Sequence, residues 1–353
     1  MKAWDAAEPP QTEGDEDPSR AETIDALETA GIDLDPAPPG AAQAHPDDQP
    51  QPGDHVHPHQ RSEEGEPPLV GIVGAGAVGT ALGVALSRAG WPVQAVASRD
   101  PERRDRFCGL VKGARGFAEA TALLDEVELI ILAVPDDAIA SVAGSLRMYS
   151  GQAMVHTSGL LGAEVLAPAM AAGTQIWSFH PLVAFADTER AVAALHGATI
   201  AIEGDDELAA LLAGMAEAIG GVPVRLAAGA KAAYHAAAVL AAGGFVALLD
   251  AIAELGRVAG LDEAGSLAIY GPLIEQTLGN AKALGIRAAL TGPITRGDRG
   301  TLEAHLAALR LHAPDALPLY RAAAEREIAL AVARGAVTTE AAEGLRTSLA
   351  TTV

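Results

Sequence analysis

Cysteine is almost absent from this chain. Cys108 is the single thiol in 353 residues, so no intrachain disulfide can form, a usage that fits a reducing cytoplasm. It reads as a small apolar filler on the helix after the second strand. Aromatic residues make up 3% of the sequence, and lysine occurs four times. Basic side chains are outnumbered 24 to 46, for a formal net charge of −22. That balance repels polyanions and acidic membrane surfaces and argues against both as general partners. Long apolar runs are missing too. The longest stretch without a polar residue, 236–249, is 14 residues of mostly Ala and Gly, which reads as too short and too weakly apolar to span a bilayer. The segment 1–28 has no basic head followed by an apolar stretch, so it does not read as a signal peptide. The expectation is a soluble, cytoplasmic protein.

The charge is unevenly placed. Residues 1–66 carry 17 acidic and 3 basic side chains and ten prolines. With few large apolar residues, such a segment cannot offset its ordering entropy, and it is expected to be disordered. Its alternating His55, His57 and His59 read as solvated sequence before they read as a metal site. The rest of the chain is long enough for about two domains. In the folded part no cysteine pair or close histidine pair occurs, so no metal is expected.

From Leu69 the pattern changes. LVGIVGAGAVGTALGVALSRAG (69–90) reads as strand, tight turn and helix, with Val78, Leu82 and Leu86 on one helix face and Gly90 at its end. A strand follows at 92–97, then Asp100-Pro101, a good helix start. Further strands are expected at 129–134, 153–156, 175–179, 199–202 and 222–226, with helices between most of them. Alternation of this kind predicts an α/β fold, a Rossmann-type doubly wound parallel sheet. After Ala228 the strand signals stop, and five helical stretches fill 230–259, 262–284, 301–311, 317–334 and 339–349. The boundaries predicted are therefore 1–66 for the tail, 67–228 for the α/β domain and 229–353 for an all-α domain.

Gly74, Gly76 and Gly79 form the GxGxxG spacing between a predicted strand and an amphipathic helix. Gly74 permits the turn, Gly76 lets a pyrophosphate approach the backbone, and Gly79 lets helix and strand pack closely. The amides of Ala77 and Val78 open the helix toward the phosphates. The second strand ends in Ser98 and Arg99, a hydroxyl and a guanidinium suited to a 2′-phosphate, so NADP is the predicted cofactor. The competing reading makes Asp100 the acid that selects NAD; Asp100 is better placed as a helix cap. Val134 and Pro135, at a strand's carboxyl end, are expected near the ribose and nicotinamide, with Asp136 and Asp137 as helix caps.

Three polar constellations stand out in an alanine-rich chain: HTSG (156–159), SFHP (178–181) and GAKAAYHAAA (229–238). Lys231, Tyr234 and His235 share one helix face by spacing. Together the motifs VGAGAVGTAL, LAVPDD, HTSG, SFHPL, KAAYHAAAV and LTGPITRGD resemble bacterial Rossmann-like proteins whose carboxyl half is called domain of unknown function 2520. The resemblance covers about 69–330. More distantly the chain is similar to ketopantoate reductase, pyrroline-5-carboxylate reductase and the 6-phosphogluconate dehydrogenase-like enzymes. Those families imply nicotinamide chemistry beside a helical carboxyl-terminal domain of the 6-phosphogluconate dehydrogenase type, and frequent homodimers through that domain. Several relatives carry a Lys with an Asn four residues on. Lys231 matches the Lys, but position 235 is His, and the chain's one asparagine is Asn280.

The expected chemistry is hydride transfer between NADPH and a small carbonyl or imine acid. Lys231, His235 and His180 are the candidate catalytic residues. Thr157, Ser158 and Arg296 are candidates for holding an anionic substrate. Each has a structural alternative: the histidines as satisfied core residues, Tyr234 as packing, Arg296 and Asp298 as a loop brace and a helix cap. A different class also stands open, an NADP-binding sensor or dimeric scaffold without turnover, as does a pyrroline-carboxylate-type imine reductase.

Overall fold

The computed structural model describes residues 66–351, except Asp205. The expected disordered tail and its three histidines lie outside the described residues. The chain packs as two compact units that divide between Ala238 and Val239, ten residues beyond the boundary expected from the sequence and inside a continuous helical run.

The first unit is a sheet of eight strands: β1 (Val70–Val73), β2 (Val93–Ala97), β3 (Arg115–Phe117), β4 (Leu129–Leu132), β5 (Ala153–His156), β6 (Gln175–Pro181), β7 (Thr199–Gly204) and β8 (Val222–Arg225). Their order is β3-β2-β1-β4-β5-β6-β7-β8. Every residue of β1, β4 and β5 is buried, as expected where helices cover both faces of a parallel sheet. Helices α1 (Ala77–Arg88), α2 (Pro101–Leu110), α3 (Asp136–Ser145), α4 (Thr188–Ala194) and α5 (Ala209–Ala218) supply that cover. Two apolar clusters result, one around Leu82, Leu86, Phe107 and Leu212, the other around Leu123, Ile130, Ile139 and Met154.

Two expectations are corrected here. The sheet is not wholly parallel, because β6 and β7 pair antiparallel, Pro181 opposite Ile200. The only regular helix between them is α4, whose seven residues rise about 10 Å. After this connection β7 sets off from the end where β6 finished. In addition, Asp136 and Asp137 do not cap α3. Pro135 holds the cap position and the two carboxylates sit in the first turn, where the helix dipole favours them. Asp100 does cap α2, its Oδ1 accepting from the Arg103 amide at 3.1 Å.

At the end of the first unit stands α6 (Lys231–Val239), continued by a π-turn (Leu240–Gly244) into α7 (Phe245–Val258). The run Lys231–Val258 is 28 residues, with a mean hydropathy of 2.1 over its most apolar 18-residue window. By length and composition it is able to cross a bilayer, contrary to the reading of 236–249 alone, because the helix extends well beyond the unbroken apolar stretch. The second unit also contains α8 (Glu263–Leu284), α9 (Arg299–His312), α10 (Leu317–Ala333) and α11 (Thr339–Ala350). Ile294, Leu302, Leu306, Ile328, Leu345 and Leu349 form the core of the last three. Asp298 caps α9 by accepting from the Thr301 amide and hydroxyl at 3.0 and 2.7 Å.

Candidate functional site

Strand order reverses between β1 and β4, and in sheets of this type ligands collect outside the carboxyl ends at that switch. The glycine turn lies there. Gly74 has φ +110°, and a Cβ on it would meet the Ala133 carbonyl oxygen at 2.2 Å. A Cβ on Gly79 would come within 2.0 Å of the Gly74 carbonyl oxygen, so strand and helix touch through their backbones. Gly76 is different: nothing lies within 4 Å of its would-be Cβ, and no side chain caps the start of α1. Open space therefore faces uncapped helix amides, the arrangement an anion such as a pyrophosphate requires.

This space is part of a cleft of about 1160 Å³. Gly74, Gly76, Ala77, Val78, Ser98, Arg99, Val134, Pro135, Thr157, Ser158 and His235 all line it, whereas Lys231, His180 and Arg296 do not. Gly79 works from behind. Beside β2, Asp100 and Arg103 pair at 3.2 Å, and Arg104 donates to the Ser98 carbonyl at 2.7 Å. Arg99 is exposed to the cleft and has no ion-pair partner among the described residues. The Asp100 carboxylate, the competing selector of NAD, is thus committed as a cap, and Arg99 keeps its charge unpaired among the described residues.

The loop after β5 forms the other end. His156 is fully buried. Its Nδ1 accepts from the Ser158 amide at 3.2 Å and its Nε2 lies 3.1 Å from the Gly162 carbonyl, which requires the neutral ring with the proton on Nε2. Burial, with the Lys231 charge adding to it, holds its pKa down at about 4. Ser158 Oγ donates to Asp136 at 2.9 Å and accepts from the amides of Leu160 and Leu161 at 3.1 and 3.0 Å. Thr157 Oγ1 turns back to the Leu132 carbonyl at 3.3 Å.

Lys231 is 2% exposed and does not line the cleft. Its ammonium donates to the Ser158 carbonyl at 2.6 Å and to Ser178 Oγ at 2.5 Å. Burial lowers its pKa to about 8, against the opposing pull of Glu203, Asp136 and Glu164. The side chain fastens α6 to the loop after β5 and to strand β6. Next along α6, Tyr234 and His235 meet His180 of β6. The His180 ring lies edge-on to both, with centroids 5.8 Å from Tyr234 and 5.9 Å from His235. A Cβ on Gly159 would sit 2.4 Å from His235 Nδ1 and 2.7 Å from His180 Nε2. Burial and the neighbouring Lys231 keep the His180 pKa near 4, while burial alone pushes Tyr234 up to about 12. Arg296 is exposed in the second unit, in the loop before α9.

Sequence reading missed the commitments of Asp136, Ser178, Glu164 and Glu203. Ser178 was within the quoted SFHP motif; Glu164 and Glu203 carry no local signal, since only the packing around Lys231 brings them near it. Among the described residues no cluster of His, Cys, Asp or Glu is arranged to hold a metal.

Fold and cleft together define a Rossmann-like protein with a glycine turn built for an anionic cofactor. The chain combines a Rossmann-like domain, matched over 57–181, with the domain of unknown function 2520, matched over 198–327. No curated protein matches its sequence. Among solved structures, a candidate NADP oxidoreductase from Bacteroides fragilis is 23% identical with a TM-score of 0.61, covering 74% of this chain and 98% of that one. A reductive aminase from Aspergillus terreus, in complex with NADPH and ethyl levulinate, is 21% identical with a TM-score of 0.61, covering 80% and 99%. A Streptomyces aurantiacus imine reductase is 17% identical with a TM-score of 0.53, covering 78% and 99%. At these identities the likeness establishes the fold.

Proposed function

We propose that this protein is an NADP-dependent reductase acting on a small carbonyl or imine compound. The observation that carries the reading is the cleft itself. One cavity joins an uncapped helix start over the open face of Gly76, the unpaired Arg99, and a histidine-bearing wall at Gly159. Arg99 and the Gly159 wall follow β2 and β5, three strand spacings apart, or about 14 Å, which separates a cofactor-selecting end from a reacting end. The solved structures named above, described as NADP and imine-reducing enzymes, agree with this reading.

NADPH, when bound, supplies the hydride and is left oxidised. The chain's own part is to seat the pyrophosphate on the amides of Ala77 and Val78, to hold the 2′-phosphate with Arg99 and Ser98, and to keep Val134 and Pro135 as the apolar wall beside the reacting ring. The heteroatom gains a proton drawn from solvent, for which His235, lining the cleft, and His180 behind it are placed. Lys231 holds the Ser158 loop from below.

In this reading the protein works as a cytoplasmic homodimer. Helix α8 has 22 residues, of which only Ser266 is buried, and Leu267, Ile269, Leu273, Leu278 and Leu284 are exposed around it. So many exposed large apolar side chains on one helix mark a surface that another surface covers. A second copy covers it, and covers the apolar run Lys231–Val258 without a membrane. The direct test is fluorescence titration with NADPH and NADH: NADPH binds more tightly, and Arg99→Ala loses at least about tenfold of that preference. Equal binding of the two by the wild type would refute the cofactor assignment.

A further inference from the structure

We infer that Phe185 is a specificity-determining residue of the cleft, an aromatic wall against which an apolar group of the substrate packs. The inference rests on the reductase reading and deepens it, by naming what the carbon side of the substrate must offer.

Phe185 lines the cleft and, glycines aside, every other apolar residue along it is Ala, Val or Pro. A full ring is out of scale with the rest of that wall. Phe107 and Phe179 are fully buried in the apolar cluster around Leu82 and Leu86. Phe185 packs against the same cluster but stays half-buried. Val78 of α1 and Ala133, just after β4, also pack on that cluster and line the cleft, so these three residues make up the part of the wall that the cluster backs. Aromatic rings carry a large apolar area, and ligand pockets are built mainly from such surface with a few polar groups beside it.

The reversal at β7 brings the ring there. Because β6 and β7 run antiparallel, the connection between them leaves and re-enters the sheet at the carboxyl end of β6, the edge on which the cleft lies, and its helix α4 packs against α1. The loop that carries Phe185 is fixed on both sides. The Leu182 amide donates to the Thr199 carbonyl at 2.8 Å, and the Ala186 amide donates to the Ala184 carbonyl at 2.9 Å, a three-residue turn with Phe185 at its centre. Asp187 follows at once and caps α4, accepting from the Arg190 amide at 3.0 Å. A ring presented in this way loses little freedom when a ligand covers it, and its contact is the more selective for that.

Probe pairs that share a polar end and differ on the carbon side test the inference on the full chain with NADPH: 2-oxobutanoate against phenylpyruvate, 2-butanone against 4-phenyl-2-butanone, and 1-pyrroline against 2-phenyl-1-pyrroline. In whichever pair is reduced, the phenyl member should have a kcat/KM at least about tenfold higher. Phe185→Ala should erase that ratio and leave the NADPH Kd in place, and Phe185→Leu, which keeps apolar bulk without the ring, should retain part of it. A phenyl member no better than its partner, or a ratio unchanged in Phe185→Ala, overturns the inference. So does a Phe185→Ala protein that keeps its circular dichroism but loses NADPH binding, because the ring then serves the cofactor. A second readout needs no turnover. With 4-fluorophenylalanine at the five Phe positions, the fluorine resonance missing in Phe185→Leu reports on this ring. It should shift when the phenyl probes are titrated into NADP-saturated protein, and no shift with any of them overturns the inference. Failure to bind NADPH at all would refute the reductase reading, and the same resonance, titrated with the probes alone, would still judge the aromatic wall.

Discussion

The two units spend their apolar residues in opposite ways. In the first, β1, β4 and β5 bury every residue, and Lys231 is buried with them. In the second, α9, α10 and α11 share a compact core, whereas α8 leaves nearly all of its 22 residues outside. The difference teaches that the first unit spends its apolar residues on its own core, while the second keeps a core under α9, α10 and α11 and leaves the apolar side chains of α8 exposed. Catalytic geometry needs the first condition, because a cleft is only as rigid as the sheet beneath it.

The contrast can be broken most severely at the backbone contact under the cleft. In Gly79→Val the new side chain meets the Gly74 carbonyl, with no flexible neighbour to give way. We expect a loss of about 3 kcal/mol or more in urea unfolding, together with loss of NADPH binding.

Next in size is an acid transition that belongs to the first unit. His156 has a folded pKa of about 4 against 6.5 when free. Between those values the unfolded chain binds the extra proton, so stability falls as pH drops from 6.5 through 4. The expected loss is roughly 3 kcal/mol at the low end. His156→Gln should flatten that part of the stability profile, and an unchanged profile would show that His156 is not its source.

Lys231→Met should cost about 2 kcal/mol. Two hydrogen bonds and the counter-charge to three carboxylates are lost, and relief from burying an ammonium offsets part of that. The pH signature separates this from ordinary cavity effects. With a folded pKa of about 8 against 10.5, the wild type gains stability between pH 8 and 10.5, where the unfolded chain holds more protons. The variant should lack that gain in a chemical-denaturation series.

The smallest effect on the single chain is expected at α8. Leu273, 59% exposed, should tolerate Lys within about 0.5 kcal/mol of folding stability. The same change should shift the protein from dimer to monomer in sedimentation velocity. A wild type that is already monomeric would break the comparison itself.

Much of the first unit was legible because its signals are local. A strand, three glycines and an amphipathic helix in succession leave few alternatives, and Asp100 and Asp298 announce their helices by capping chemistry that acts over three residues. The short β3, the reversed β7 and the π-turn at Leu240–Gly244 were not legible. Each depends on where a neighbouring element ends, and no residue type marks it. The misreading of Asp136 has the same origin: its partner is Ser158, 22 residues away, and only the sheet brings them together.

By itself the sequence determined the order of strands and helices, the glycine turn, and the placement of Arg99 at the end of a strand, since these follow from backbone sterics and short-range capping. Tertiary structure decided the fate of the polar groups. It turned the Lys231 ammonium onto the loop after β5, committed the Ser158 hydroxyl to Asp136, and left His180, Tyr234 and His235 with buried atoms unpaired. Burial and hydrogen-bond satisfaction are properties of what surrounds a residue, and in this protein the surroundings arrive from positions as much as 73 residues apart in the chain.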